Sequence, residues 1–248
     1  MISVVIPALN EADRLPLLLA DLSVDGGLIA EVIVVDGGSA DATCRVARLA
    51  GARVLSAPPG RGGQLVAGIA QASSPWLWLL HADARLPRGW HGRLRPLLQA
   101  ANADPEALRA WYGRLRVQLP GPQYRLLEWA VRLRSRYGQR PYGDQSLLLS
   151  RWCLDQVGGI RPLPLMEDLE FAQRLARCGR FESLDLPVQV DGRRWQRLGL
   201  VGALRANAAL RRAWRRGASV QDLHRRYQGA YQKAQRRPWG SSSQPCPE

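Results

Sequence analysis

The 248-residue chain is 46% hydrophobic and 23% charged, enough apolar material to bury a sizeable core in one catalytic unit, yet no stretch approaches the ~20 apolar residues that span a bilayer. No internal repeat stands out, and the four cysteines (Cys44, Cys153, Cys178 and Cys246) lie far apart with no C-x-x-C pair, which argues against a solenoid, a zinc site or a disulfide framework and leaves buried or inert thiols as the expectation. The formal net charge of +14 is concentrated: residues 193–237 hold 13 basic side chains against the single acid Asp222, whereas residues 1–192 carry 22 basic and 19 acidic.

Ile2 to Ile6 is short, β-branched and followed by Pro7, the pattern of a buried strand. No basic segment, apolar run and small-residue cleavage site come before it, so the expected location is the cytoplasm. A helix is predicted over 13–22, with Asp13 as its cap and Leu15, Leu18, Leu19 and Leu22 on one side. Glu31 to Val35 reads as a second buried strand that runs into Asp36-Gly-Gly-Ser39, followed by a helix over 41–50 with Asp41 as cap and Gly51 as stop. A short strand over 53–55, a small-residue helix over 62–72 and a fourth strand over 76–80 complete an alternation that implies a parallel sheet with right-handed crossovers. Ligands on such sheets bind beyond the carboxyl ends of the strands, so Pro7, Asp36 and His81-Ala82-Asp83 should converge on one edge.

After Trp90 the pattern becomes mixed: a helix over 90–101, a strand over 110–117, a helix over 124–134, and a strand over 146–149 introduced by Gly143-Asp144-Gln145. An amphipathic helix is predicted over 167–178, with Leu169, Ala172, Leu175 and Ala176 inward and Gly179 as stop. From Leu198 the chain is Arg- and Ala-rich helix, and its last residues, 238–248, have the Pro, Gly and Ser composition of a disordered tail.

Val4-Val-Ile-Pro-Ala-Leu-Asn-Glu11, Val34-Val-Asp-Gly-Gly-Ser39, His81-Ala-Asp83 and Glu167-Asp168 occur in the order seen in family 2 glycosyltransferases, and over residues 1–230 the chain resembles members of that family. The resemblance implies the GT-A fold, an α/β architecture with a Rossmann-like, mostly parallel central sheet flanked by helices. It also implies a catalytic domain over 1–192, divided into a nucleotide-sugar-binding half (1–90) and an acceptor half (91–192), with a basic helical extension over 193–237. Arg61-Gly-Gly-Gln64, Gly143-Asp-Gln145 and Arg193-Arg-Trp195 further resemble a small bacterial subgroup whose genes accompany radical-SAM and selenoprotein genes.

The resemblance gives these residues roles, and bland readings stand beside them. Pro7, Ala8, Asn10 and Glu11 wrap the nucleoside, with the acid near the ribose; alone, Asn10-Glu11 is a helix-entry turn. Asp36 accepts an N–H of uracil or guanine, which disfavours adenine, with UDP expected ahead of GDP, and Gly37 suits backbone lying close against a ligand; alone, Asp36 begins a Gly-rich turn. Asp83, the last residue of a D-x-D motif, coordinates Mg²⁺ or Mn²⁺ that bridges the diphosphate. The first Asp is His81 here, which removes a hard oxygen, favours Mn²⁺, or leaves the ring to a ribose contact or a core cap. Arg61 places a guanidinium over the donor or is a solvated loop residue; no Gly-Lys-Ser or Gly-Lys-Thr follows, so the segment is not a P-loop.

Direct displacement at an anomeric carbon inverts its configuration and needs a base on the acceptor side. By motif position Asp168 is that base and Glu167 orients it or touches the acceptor, although both acids also suit a helix N-terminus. Asp144 and Gln145 line the sugar or acceptor pocket. Arg193-Arg-Trp195 resembles the Q-x-x-R-W motif of processive members, but Asp191 takes the place of the Gln; Arg194 pairs with the diphosphate and Trp195 packs beside the acceptor. In the basic region Leu198, Leu200, Val201, Leu204, Ala208, Leu210 and Trp214 intersperse the arginines, as in a helix on an anionic membrane surface or one packed on the catalytic domain. No nucleic-acid module accompanies the charge, so nucleic acid is not an expected partner.

The expected function is metal-assisted, inverting transfer of a sugar from a UDP- or GDP-sugar to an acceptor hydroxyl, lipid-linked if the membrane reading holds. Two competitors are a sugar-phosphate nucleotidylyltransferase, whose Gly-rich signature is replaced by Pro7-Ala-Leu-Asn10, and a degenerate nucleotide-binding or membrane-adaptor protein, for which His81 is the hint.

Overall fold

Strands and helices alternate through β1 (Ile2–Ala8), α1 (Leu15–Ser23), β2 (Ile29–Asp36), α2 (Thr43–Leu49), β3 (Arg53–Ser56), α3 (Arg61–Gln71) and β4 (Trp76–Leu79) in this computed structural model, which describes residues 1–138, 141–219, 221–223, 225–227 and 229. The chain divides into two compact units, Met1–Asp191 and a second that begins at Gly192. The first continues through β5 (Ala84–Arg85), α4 (Trp90–Ala101), β6 (Arg109–Val117), α5 (Pro122–Gly138), a 3₁₀ turn (Gly143–Gln145), β7 (Leu147–Ser150), α6 (Arg151–Gln156), α7 (Glu167–Cys178) and β8 (Arg180–Val190). The second opens with α8 (Arg193–Arg215), broken at Gly199, whose φ of 66° no helix accommodates. The expected tail over 238–248 and the last part of the basic extension lie outside the described residues, as does Cys246.

Among the described residues one eight-stranded sheet forms, in the order β3-β2-β1-β4-β7-β6-β8-β5. β1 pairs parallel with β2 and β4, β2 with β3, and β6 with β8, while β4–β7, β6–β7 and β5–β8 are antiparallel. The sheet is therefore mixed, more so than a mostly parallel one. β1 continues through Pro7 to Ala8, because its pairing with β4 ends at Val5↔Leu79 and no neighbour on that side needs an N–H from Pro7.

Side-chain alternation divides the core between the two faces. Ile2, Val4 and Ile6 pack with Leu15 and Leu18 of α1 and Leu94 of α4, whereas Val5, Ile33 and Val35 pack with Leu65 of α3 and Phe171 of α7. Gly68 lets α3 lie close on the sheet, since a Cβ there would stand 2.4 Å from Val5 Cγ1. The four inward leucines of α1 are buried as expected, but Asp13 is not its cap: the helix starts at Leu15 with no side-chain capping bond. A cap contributes about 1 kcal/mol and each buried leucine about 1.5–3 kcal/mol, so the apolar face suffices to hold the helix.

β8 has no counterpart among the predicted elements. Asp185 at φ 53° and Pro187 interrupt its pattern, and the register with β6 slips between Tyr112 and Arg114 at the same point. The thiols divide: Cys153 is buried, which pushes its pKa up to about 11, Cys44 is partly buried and Cys178 is exposed.

Candidate functional site

Five hydrogen bonds stitch the loop after β1 to the loop after β2. Gly37 N–H donates to Ala8 O at 2.9 Å, Asn10 N–H to Ser39 Oγ at 2.9 Å and Ala40 N–H to Asn10 Oδ1 at 2.8 Å. Glu11 N–H donates to Thr43 Oγ1 at 2.9 Å and Ala12 N–H to Asp41 Oδ2 at 3.1 Å. Asn10 sits at φ 55°, a left-handed conformation that Asn tolerates better than most residues. From below, the buried Gln64 amide donates to Ala8 O at 2.9 Å and to Val35 O at 2.7 Å, tying both strand ends to α3. Pro7, Ala8, Asn10, Glu11, Asp36 and Gly37 are thus brought together on the predicted edge.

Asp36 is 5% exposed and holds its own turn: Gly38 N–H donates to Oδ2 at 3.0 Å and Ser39 N–H at 3.1 Å. Burial pushes its pKa up, but the Ser39 and Gly38 donors outweigh that and keep the carboxyl below its ordinary range. The turn role is therefore present in full. Ser39 Oγ at 2.5 Å on Oδ1 and the Cys44 thiol also donate to this carboxylate, so its roughly four lone-pair sites are engaged and a ligand N–H would share an oxygen with one of these donors.

Arg61, at the first turn of α3, bridges two further site residues. Its Nη1 lies 3.0 Å from His81 Nε2 and its Nε 3.2 Å from Glu167 Oε1. Guanidinium only donates, so His81 Nε2 accepts and the ring proton belongs on Nδ1. Burial and the Arg61 charge lower the His81 pKa, while the charges of Asp83, Asp144 and Asp168 act to raise it. Glu167 is 1% exposed, and its Oε2 has no hydrogen-bond partner among the described residues. Burial pushes its pKa up to about 7, Arg61 pulls it down and Asp168 pushes it up.

Asp168 begins α7 beside Glu167 but is half-exposed. Its Oδ2 accepts from Gly143 N–H at 2.8 Å and its Oδ1 from Leu169 N–H at 2.7 Å, which orients the carboxylate and leaves a lone pair on each oxygen. Gly143 is required at this contact, because a Cβ would meet His81 Nε2 at 2.8 Å and Asp168 Oδ2 at 3.4 Å. A pocket lined by Leu65, Leu79, Ile160, Phe171 and Phe181 also takes in His81, Glu167 and Asp168.

Gln145 is 1% exposed; its Oε1 accepts from Arg134 at 3.0 Å and Ser135 at 2.8 Å, and its Nε2 donates to Gly113 O at 3.1 Å. It fastens the 3₁₀ turn to α5 and β6, so the amide expected to face the acceptor is used inside the protein. Asp191 is taken by an ion pair with Arg14. Trp195 stands at the start of α8 in the second unit, and the Arg194 side chain lies outside the described residues. Gln64, Ser39, Asp41 and Thr43 were not among the expected site residues; the two-residue step between Asp41 and Thr43, both short polar side chains after a Gly-rich turn, was the available signal.

Among the described residues no three carboxylate, imidazole or thiol groups converge as a ready metal site. The residues fit a divalent cation as a shared site. Asp83 supplies a hard oxygen from the turn between β4 and β5, and Asp144 carries a buried Oδ1 with no hydrogen-bond partner among the described residues, so ligands from a bound molecule would have to complete the shell. His81 contributes no Nε2 while Arg61 holds it.

Residues 3–152 match the family model described as glycosyl transferase family 2. An uncharacterized glycosyltransferase of Mycobacterium tuberculosis is 38% identical over 89 residues, which is 36% of this chain and 39% of that protein, so the match spans well under two thirds of the curated relative. The structure of glucosyl-3-phosphoglycerate synthase from Mycobacterium tuberculosis, in complex with Mn²⁺, UDP and phosphoglyceric acid, is 26% identical with a TM-score of 0.51, covering 77% of this chain and 68% of that one. S. aureus TarS shares the fold, at a TM-score of 0.58 and 16% identity over 77% of this chain and 36% of that chain.

Proposed function

The chain belongs to glycosyl transferase family 2 and has the α/β GT-A fold, and from that premise we propose that it moves a sugar from a nucleoside-diphosphate donor, UDP ahead of GDP, to an acceptor hydroxyl with inversion. The carrying observation is Asp168, its Oδ2 held by Gly143 N–H at 2.8 Å, lining one pocket with His81 and Glu167 while Arg61 bridges those two.

Asp36 accepts the base N–H, and the stitched loops of Asn10 and Glu11 hold the nucleoside. Asp83 would hold a divalent cation, which supplies charge neutralisation of the diphosphate leaving group. The acceptor hydroxyl donates to a remaining lone pair of Asp168. Its oxygen attacks the anomeric carbon from the face opposite the diphosphate, the proton passes to Asp168, and the anomeric C–O electron pair leaves with the diphosphate. Arg61, anchored by buried Glu167, adds positive charge near that oxygen. Half-exposure suits Asp168 for the base role and burial suits Glu167 for positioning.

Membership of the subgroup with radical-SAM gene neighbours rests on Arg61-Gly-Gly-Gln64, Gly143-Asp-Gln145 and Arg193-Arg-Trp195 and belongs to this proposal, as do a cytoplasmic location and contact of the basic second unit with an anionic membrane. Among the described residues no helix is long and apolar enough to cross a membrane. The kinked α8, with Val201 and Leu204 exposed beside its arginines, supports the surface reading. Asp168→Asn tests the mechanism: turnover of the donor should fall by at least 10³-fold, a loss in keeping with a general base and its positioning, while UDP affinity holds. Normal turnover in that variant would remove Asp168 from the base role.

A further inference from the structure

A second cleft lies between α5 and the outer parts of β6 and β8, lined by Arg114, Arg116, Arg125, Arg132 and Arg136. The carboxylates in it do not balance these charges. Glu128 alone serves both Arg116, at 2.7 Å, and Arg125, at 2.6 Å, and Asp185 serves Arg114 at 3.1 Å. Glu182, the third acid of the cleft, is turned to Arg109 and Arg180 outside it. Arg132 is exposed and has no carboxylate within ion-pair distance among the described residues. Arg132 and Arg136 both bear on the Tyr112 hydroxyl at the cleft, where their charges oppose the effect of its burial. Trp129, 57% exposed, adds an apolar platform.

The cleft adjoins the proposed catalytic site through shared residues. Phe181 lines both cavities, and the turn Gly143–Gln145 presents Gly143 to Asp168 and Gln145 to the cleft. Arg134 couples them again, stacked 3.7 Å over the Tyr142 ring and bonded to Gln145. A ligand with its anionic end among the arginines therefore sits in the cavity that adjoins the Asp168 pocket at Phe181 and the Gly143–Gln145 turn.

We propose that this cleft binds a phosphate group carried by the acceptor, with Arg132 and Arg136 as its principal contacts, so that the acceptor hydroxyl is delivered to Asp168 from the α5 side. The proposal rests on the transfer reading for the word acceptor, and on the cleft alone for the phosphate. Guanidinium groups are suited to phosphate oxygens, which they meet through paired N–H donors.

The full chain, as wild type and as Arg132→Gln/Arg136→Gln, is titrated with inorganic phosphate in the presence of UDP, and is sedimented with phosphatidylcholine vesicles with and without phosphatidic acid. Both arginines are exposed, so the double variant should keep the wild-type melting temperature, and UDP affinity should stay within twofold. Phosphate binding that weakens at least tenfold in the variant supports the proposal with a soluble phosphate as ligand. Vesicle binding that requires phosphatidic acid and falls at least tenfold in the variant supports it with a lipid phosphate. Equal binding by the two proteins in both assays, or none by either, overturns it. Failure of the wild type to bind UDP would remove the donor reading alone, because the comparison of arginines uses phosphate.

Discussion

Arg61 Nε lies 3.2 Å from Glu167 Oε1, and the Glu167 side chain is 2% exposed. The pair therefore joins the Gly-rich start of α3 to the acidic start of α7, with a carboxyl whose burial pushes its pKa up to about 7 against the pull of Arg61. The groups that bear on it are Arg61 and Asp168, with His81 against the far side of Arg61.

That raised pKa makes stability depend on pH. The folded state binds the Glu167 proton more tightly than the unfolded chain, whose value is near the ordinary 4.5. The contribution is complete below that value and is lost as pH rises through about 7, a total of roughly 3 kcal/mol. Glu167→Gln removes the titration. The melting temperature of the variant should rise relative to wild type between pH 5 and pH 8; parallel curves would contradict the burial argument.

Gly143→Ala should injure turnover more than donor binding. The new Cβ falls on His81 Nε2 and close to Asp168 Oδ2, so the turn must move and Asp168 loses its aim. Overpacking of this kind costs about 1–3 kcal/mol. Turnover at saturating donor is expected to drop at least tenfold with UDP affinity within about threefold, read by steady-state kinetics and calorimetry.

Gln64→Leu keeps the volume of the side chain but strips two donors from Ala8 O and Val35 O. Ala8 O keeps its bond from Gly37 N–H, so the loss is that of two intramolecular hydrogen bonds, each contributing about 0.5–1.5 kcal/mol. The denaturation midpoint should fall accordingly, and UDP affinity with it, because the same amide anchors the ends of β1 and β2. A destabilised variant with wild-type UDP affinity would show that the strand ends hold without it.

Removal of divalent metal with a chelator should weaken UDP binding by at least tenfold, and Asp83→Asn should bring the metal-free and metal-loaded affinities together. The measurement is the Mn²⁺ dependence of UDP binding in each protein. Persistence of the full Mn²⁺ effect in Asp83→Asn would move the metal to other ligands.

The parallel half of the sheet was legible because its strands are continuous apolar runs ended by Pro7 and Asp36, and the strand-end residues followed from the topology. The bounds of the amphipathic helix over 167–178 were legible to the residue and Leu169, Ala172 and Leu175 are buried as expected, but Ala176 is exposed and Phe171 is buried in addition. β8 was hidden by Asp185 and Pro187, which signal a break in local terms while pairing with β6 overrides them. The relation of Arg61 to Glu167 was hidden for a different reason: they are far apart in sequence, and only the packing of α3 beside α7 decides that a loop arginine faces a buried acid. Gln145 illustrates the converse, a polar residue placed at the site by motif and consumed by the scaffold.

Loops that folding has already fixed bring little ordering cost to a ligand. Each backbone residue immobilised on binding would otherwise oppose it by about 1–2 kcal/mol. The bonds from Asn10, Glu11 and Ala12 to Ser39, Thr43 and Asp41 make the two strand-end loops move as one stiff body. Under the proposed function a nucleotide would meet a rigid receiving edge, and loosening any one stitch would be felt as a loss of binding entropy across both loops, even where the substituted side chain never touches the ligand.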